Sequence, residues 1–308
     1  MKRHSHALLP PVLACLLLAV LASWPLAPQA GRTFPSASSM PDLNVSMWLP
    51  SQIMDAARRG HSPLWAADFL WPDGQSVALL VWNLGIQLMQ MPFYLLFPPI
   101  AAYSLSLVFM GMLNGLGGFV LGYTIGNRDR LAGMMAAGLL VCNPFAWNEL
   151  VQGRIEQGLL LWMALAVAGL LAQRHTPDNR TAVLTGAAWG MAGLCYWFYG
   201  YFLLLLVMCL LGEAAVRRRW TWLRALIISS VTSAAMAAPF ALSLLWMATQ
   251  SGSLYQQTTS ADNAMLQQVI TEASLGLHNI PMWLAAPPEF LRDVLPVTAL
   301  VMLAAWVW

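Results

Sequence analysis

Apolar residues in this chain gather into runs long enough to cross a membrane. A helix needs about 20 apolar residues to span roughly 30 Å of hydrocarbon. Such runs lie near 7–27, 76–97, 98–125, 131–147, 157–172, 181–216, 222–247 and 294–308. The 181–216 run would be about 54 Å long as one helix, too long for a single crossing. It predicts a tight hairpin turning at Tyr196-Trp197-Phe198-Tyr199-Gly200-Tyr201, because Trp and Tyr concentrate at the membrane interface. The pattern predicts an all-α fold: a polytopic transmembrane helix bundle of about 8 spans, one transmembrane domain over 1–308. The last run, ending at Trp308 without a polar tail, reads as an incomplete span of a truncated chain.

The segment 76–97 decides the topology. Asn83, Gln87 and Gln90 recur at i, i+4 and i+7, a polar stripe on an otherwise apolar helix; Pro92 interrupts it and Pro98-Pro99 ends it. Such a helix can rest in the interface instead of crossing. If it does not cross, 10 Lys and Arg residues fall on the cytoplasmic side and 5 outside. If it crosses, the split becomes 4 inside and 11 outside. The positive-inside rule selects the first arrangement. The expected location is the inner (plasma) membrane, with the N-terminus and Lys2 and Arg3 cytoplasmic. The apolar run 7–27 exceeds a signal-peptide core of roughly 7–15 residues, and Pro28-Gln29-Ala30 is a poor cleavage site, so this run reads as an uncleaved first span.

Composition narrows the class. Of 308 residues, 59% are hydrophobic and 9% charged, against roughly 25% charged in soluble domains. A soluble enzyme, a disordered chain and a nucleic-acid-binding protein are excluded, and a net charge of +2 is too small to recruit polyanions. Membrane lipids are the expected surroundings. The four cysteines form no CxxC pair, so neither a metal site nor a disulfide framework is implied. Ionisable residues are nearly absent within the spans, which weighs against an ion-coupled transporter. The pairs Gly111/Gly115, Gly118/Gly122 and Gly186/Gly190 predict close helix packing. In the selected topology 10 of the 13 carboxylates face outward, on loops near 28–97, 147–157 and 248–293. Loop length accounts for part of that excess; a site is the other explanation.

Two of those loops carry candidate chemistry. In 28–97, Pro41 to Gly60 predicts an amphipathic juxtamembrane helix kinked at Pro50 and closed by Arg58, Arg59 and Gly60. Asp42 reads as its N-cap and as a carboxylate held at the membrane surface as a base or metal ligand, two roles that do not exclude each other. His61 follows, a candidate ligand or acid/base, though a lone loop histidine is usually neither. Trp71-Pro72-Asp73-Gly74 marks a turn. The second loop holds Asn148, Glu149, Gln152, Arg154 and Glu156 between two apolar spans. If it is helical, Glu149, Gln152 and Glu156 share a face. Carboxylates suit Mg²⁺ or Mn²⁺, and Arg154 suits a phosphate. The plainer reading is an exposed loop whose Glu–Arg pair contributes little.

In their order, these features resemble the C-type (GT-C) integral-membrane glycosyltransferases. The resemblance rests on Pro41-Asp42 to Trp48, Gly60-His61-Ser62-Pro63-Leu64-Trp65, Trp71-Pro72-Asp73-Gly74 and Asn148-Glu149-Leu150-Val151-Gln152-Gly153-Arg154. It covers roughly 7–175, with further spans over 176–308. It implies transfer of a sugar from a polyprenyl-phosphate donor on the external, periplasmic face. Asp42 would be the catalytic base and Glu149 the second catalytic carboxylate, near a metal or the lipid phosphate. Arg154, Glu156, Gln152 and His61 would contact substrate. Arg154 departs from the histidine common in related sequences, which favours phosphate contact there. No DxD pair is present. The competing expectation is a non-catalytic multi-pass protein, a carrier or flippase or an envelope assembly partner.

Overall fold

A computed structural model describes residues 9–24, 26–32, 41–61, 65–66, 75–76 and 83–249. The chain forms two compact units, Met1–Leu244 and Leu245–Trp308. Apart from the last residues of α11, every element below belongs to the first. The run 294–308 lies outside the described residues.

The regular structure of the described residues is helical, apart from a two-residue antiparallel ladder that pairs Trp65–Ala66 with Gln75–Ser76. The helices are α1 (Leu9–Ala22), α2 (Pro41–Arg58), α3 (Leu84–Leu96), α4 (Pro99–Ile125), α5 (Arg130–Val141), α6 (Pro144–Val151), α7 (Ile155–Gly158), α8 (Leu161–His175), α9 (Asn179–Cys195), α10 (Trp197–Val216) and α11 (Trp220–Thr249). Four segments among them are long and apolar enough to cross a membrane: Pro99–Ile125, Ile155–His175, Trp197–Val216 and Trp220–Leu242. α5 and α6, bent by 40° at their junction, make a fifth if they act as one span. Large apolar side chains face outward at helical spacing, as in Leu13, Leu17 and Leu21 on α1, Leu131, Met135 and Leu139 on α5, and Leu205 and Met208 on α10. Water would not tolerate that surface and lipid does. The chain is a multi-pass membrane protein.

Glycines on one side of α4 let its neighbours reach its backbone. A Cβ at Gly118 would meet the Ala136 carbonyl oxygen of α5 at 2.6 Å, and one at Gly115 would meet Cys15 of α1 at 3.0 Å. These contacts set directions. Gly118 faces Ala136 while Gly122 faces Ala132, so α5 runs antiparallel to α4. Gly111 faces Ala19 while Gly115 faces Cys15, so α1 is antiparallel as well. Gly117 packs on Leu161 and Ala164, one helical step beyond the bond from Asn114 to Gly158, so α8 is parallel to α4. α9 and α10 form the expected hairpin. They break at Tyr196, and the Trp189 indole N–H donates back across the turn to the Gly200 carbonyl at 2.9 Å.

The bundle therefore has two chemically distinct ends. One collects the α4–α5 turn with Arg128 and Arg130, the α8–α9 turn with Arg174 and Arg180, and Arg217, Arg218 and Arg219 after α10. Arg174 donates to Glu213 at 2.7 Å there and lies over the Trp222 ring at 5.9 Å. Asp129 and Asp178 cap α5 and α9. The hydrogen bonds from Thr181 hold the Asp178 carboxyl below its ordinary range. The start of α1 lies at this end too, since α1 opposes α4. The other end collects α2, Asn83, the α6–α7 turn and the Tyr196 hinge.

Candidate functional site

The site end is built around a broken helix. Asn143 caps α6, accepting from the Ala146 N–H at 3.1 Å, with Pro144 pre-set for the first turn. α6 stops at Val151 because Gly153 adopts φ +89°, which L side chains rarely do. A new turn, α7, starts after Arg154. The continuous helix that would align Glu149, Gln152 and Glu156 does not form. The reversal instead turns Arg154 back over α6, onto Glu149.

Glu149 is 4% exposed. Arg154 forks onto its carboxylate, Nη2 at 3.0 Å from Oε1 and Nε on Oε2. The Asn148 amide donates to the same Oε1 at 3.1 Å. Gln152 donates to Asn148 at 2.8 Å and accepts from Arg154. Burying a carboxylate costs several kcal/mol, which a bidentate guanidinium and an added amide bond offset. Glu149, Gln152 and Arg154 thus form one clip, with about a third of the Arg154 side chain exposed at its rim.

α2 docks on this clip. Its Ser46 hydroxyl donates to the Gly153 carbonyl at 2.6 Å, across 107 residues of sequence. Leu43, Leu49, Ile53 and Met54 bury the same helix. Asp42 stands four residues before Ser46, on the same helical face and in the first turn rather than at the preceding cap position. Its side chain lies outside the described residues. His61 is elsewhere: Gly60 and His61 close the far end of α2 with N–H bonds to Ala57 at 3.2 Å and Ala56 at 2.9 Å. The His61 side chain is exposed, roughly 20 Å along the helix from Ser46. The structure brings Glu149, Gln152 and Arg154 together and sets His61 apart.

Glu156 turns toward α3. Its Oε2 accepts from the Asn83 amide at 3.3 Å, and the Asn83 Oδ1 accepts from Gln87 at 3.0 Å. Gln90 donates to the Ser106 hydroxyl at 3.1 Å, and Ser106 donates to the Tyr103 carbonyl at 2.7 Å. Gln87 and Gln90 are fully buried, whereas Leu88, Leu95 and Leu96 on the opposite side are exposed. α3 thus carries its polar stripe inward and its apolar side outward, the reverse of a helix floating on the interface. At 13 residues it is about 20 Å long, short of a crossing. The Gln87 and Gln90 Oε1 atoms and the Tyr94 hydroxyl are buried with no partner, at about 1–3 kcal/mol each.

Tyr196 lies beside the clip. Its hydroxyl pKa is raised, first by burial and then by the negative charges of Glu156 and Glu149, with Arg154 opposing. Among the described residues no three His, Cys, Asp or Glu side chains cluster as metal ligands. Both oxygens of Glu149 already accept hydrogen bonds, so Mg²⁺ or Mn²⁺ there would share that carboxylate with Arg154 and Asn148.

Asn114, in the middle of α4, carries weight that sequence reasoning missed. Its amide donates to the Gly158 carbonyl at 2.8 Å and its carbonyl accepts from the Leu160 N–H at 2.7 Å. It thereby satisfies the break between α7 and α8. A lone buried amide in a 27-residue apolar helix was the available signal. Comparison with protein-family models, with curated proteins and with solved structures found no match to this chain.

Proposed function

We propose that this protein is an inner-membrane glycosyltransferase of the GT-C type, moving a sugar from a polyprenyl-phosphate donor to an acceptor on the external face. One observation carries the reading: the Ser46–Gly153 bond docks the helix bearing Asp42 onto the turn bearing Glu149 and Arg154. A base-bearing helix and a guanidinium thus meet at one end of a lipid-facing bundle, where a lipid-linked phosphate arrives from the side.

In this reading the chain crosses the membrane about 8 times, with the arginine-rich end in the cytoplasm, as the positive-inside rule requires. Asp42 takes the proton of the acceptor as its oxygen or nitrogen attacks the anomeric carbon. The bond from that carbon to the phosphate oxygen breaks, and its electron pair leaves with the phosphate. Arg154 stabilises the charge developing there. Glu149 positions the guanidinium instead of acting as a base, because both its oxygens are engaged. Gln152 steadies the same guanidinium, and Glu156 ties the turn to α3. No step runs through a metal.

The test is transfer of radiolabelled sugar from polyprenyl-phosphate donors in membranes holding the full chain. Asp42→Asn should abolish transfer while protein level and melting temperature stay at wild type; full activity in that variant would eliminate the role. The closed Glu149–Arg154 clip also suits a non-catalytic carrier or assembly partner. In that case replacing Asp42, Glu149 and Glu156 together would leave function intact.

A further inference from the structure

The inner side of α3 bears two acceptor oxygens, on Gln87 and Gln90, that are fully buried and bonded to nothing. Gln87 stands in the hydrogen-bonded chain that starts at Glu156 and passes through Asn83. Gln90 is bonded to Ser106 of α4 through its amide N–H alone. Turning either amide over does not help, since its N–H would then lose a partner that accepts. Buried polar atoms are almost always paired, and each exception asks for a reason.

The helix itself is made to yield. Pro92 has no N–H to give to the Leu88 carbonyl, so the ladder is interrupted mid-helix. Phe97, in extended backbone before Pro98, separates α3 from α4. Leu88, Leu95 and Leu96 face outward, so displacement of α3 into lipid would break no polar contact on that side. Closed, the seam leaves its acceptors unused; opened, it offers them to a ligand that brings O–H donors.

We infer that the α3–α4 seam is the subsite for the sugar of the donor: α3 moves outward, and Gln87 and Gln90 accept hydrogen bonds from sugar hydroxyls. This rests on the donor class proposed above and adds where its head group is read. Tyr94, whose hydroxyl is also unpartnered, lies one turn beyond Gln90 on the same side and supplies a third contact.

The experiment uses the full-length protein in nanodiscs. Affinity is measured for polyprenyl phosphate alone and for polyprenyl phosphate bearing a hexose, an N-acetylhexosamine or a pentose. Wild type should bind one sugar-bearing lipid at least tenfold more tightly than the bare lipid. The double variant Gln87→Met/Gln90→Met should bind that lipid and the bare lipid alike, with a melting temperature close to wild type, since it removes two orphaned acceptors and takes a donor from Asn83 and from Ser106. Arg154→Lys should weaken bare and sugar-bearing lipid by the same factor, which reports the phosphate contact separately. Equal affinity of wild type for the bare lipid and all three sugar lipids overturns the subsite but leaves the phosphate contact standing. Discrimination that survives in the double variant also overturns it. No binding of any of these lipids overturns both readings.

Discussion

Glu149 and Arg154 make the clearest single-residue case. A buried ion pair contributes little beyond an apolar replacement, but removing one partner strands the other. Arg154→Met alone should therefore cost about 2 kcal/mol, less than a fully buried pair because the guanidinium is part-exposed, and lower the melting temperature by roughly 5 °C. Glu149→Leu/Arg154→Met together should recover most of that loss in detergent melting curves. A double variant as unstable as the single would show that the clip is held by more than this pair. Tyr196 gives a pH signature. Its hydroxyl pKa is raised in the folded protein, so the neutral phenol is favoured by folding. The associated stability is fully present below about pH 10, the ordinary tyrosine value, and is lost as pH rises through the folded value. Melting temperature should fall above pH 10 in wild type and fall less in Tyr196→Phe.

Among elements, α4 and α5 make opposite demands at the two glycines Gly118 and Gly138. At Gly118 an added side chain runs into the backbone of α5, whereas Gly138 on α5 has open space around it. Gly118→Leu should leave little monodisperse protein in detergent size exclusion, while Gly138→Leu should elute as wild type. Ser46 is a positioning residue: Ser46→Ala removes one buried hydrogen bond, about 1 kcal/mol. If α2 sets the place of Asp42, transfer should fall tenfold or more while donor affinity holds. The long helices were legible because lipid demands apolar runs, and the α9–α10 hairpin because its run was too long for one crossing and its aromatic middle suits the membrane interface. The orientation of α3 was not legible. Periodicity shows that Asn83, Gln87 and Gln90 share a side, but only tertiary packing decides whether that side meets water or protein. The break at Gly153 was also hidden, since Glu149, Gln152 and Glu156 suit a continuous helix and nothing in their spacing reports a positive φ.

At the scale of the molecule, the separation of a clip-bearing end from an arginine-bearing end follows from helix directions that glycine contacts fix. Labelling tests the sidedness. With Cys142 and Cys209, both exposed, changed to serine, Asn148→Cys should react with an impermeant thiol reagent from outside intact cells. Arg218→Cys should react only after the membrane is opened. The opposite pattern would remove the external site. In the proposed orientation eight arginines (Arg128, Arg130, Arg174, Arg180, Arg217, Arg218, Arg219 and Arg224) face an interior that is electrically negative, with Asp129, Asp178 and Glu213 opposing them. Each elementary charge carried across is worth about 2.3 kcal/mol per 100 mV. An inverted copy would have to hold this surplus against the resting voltage. Collapsing that voltage with an ionophore during synthesis should raise the fraction of wrongly inserted chains, and the energised membrane itself then acts as the proofreader of topology.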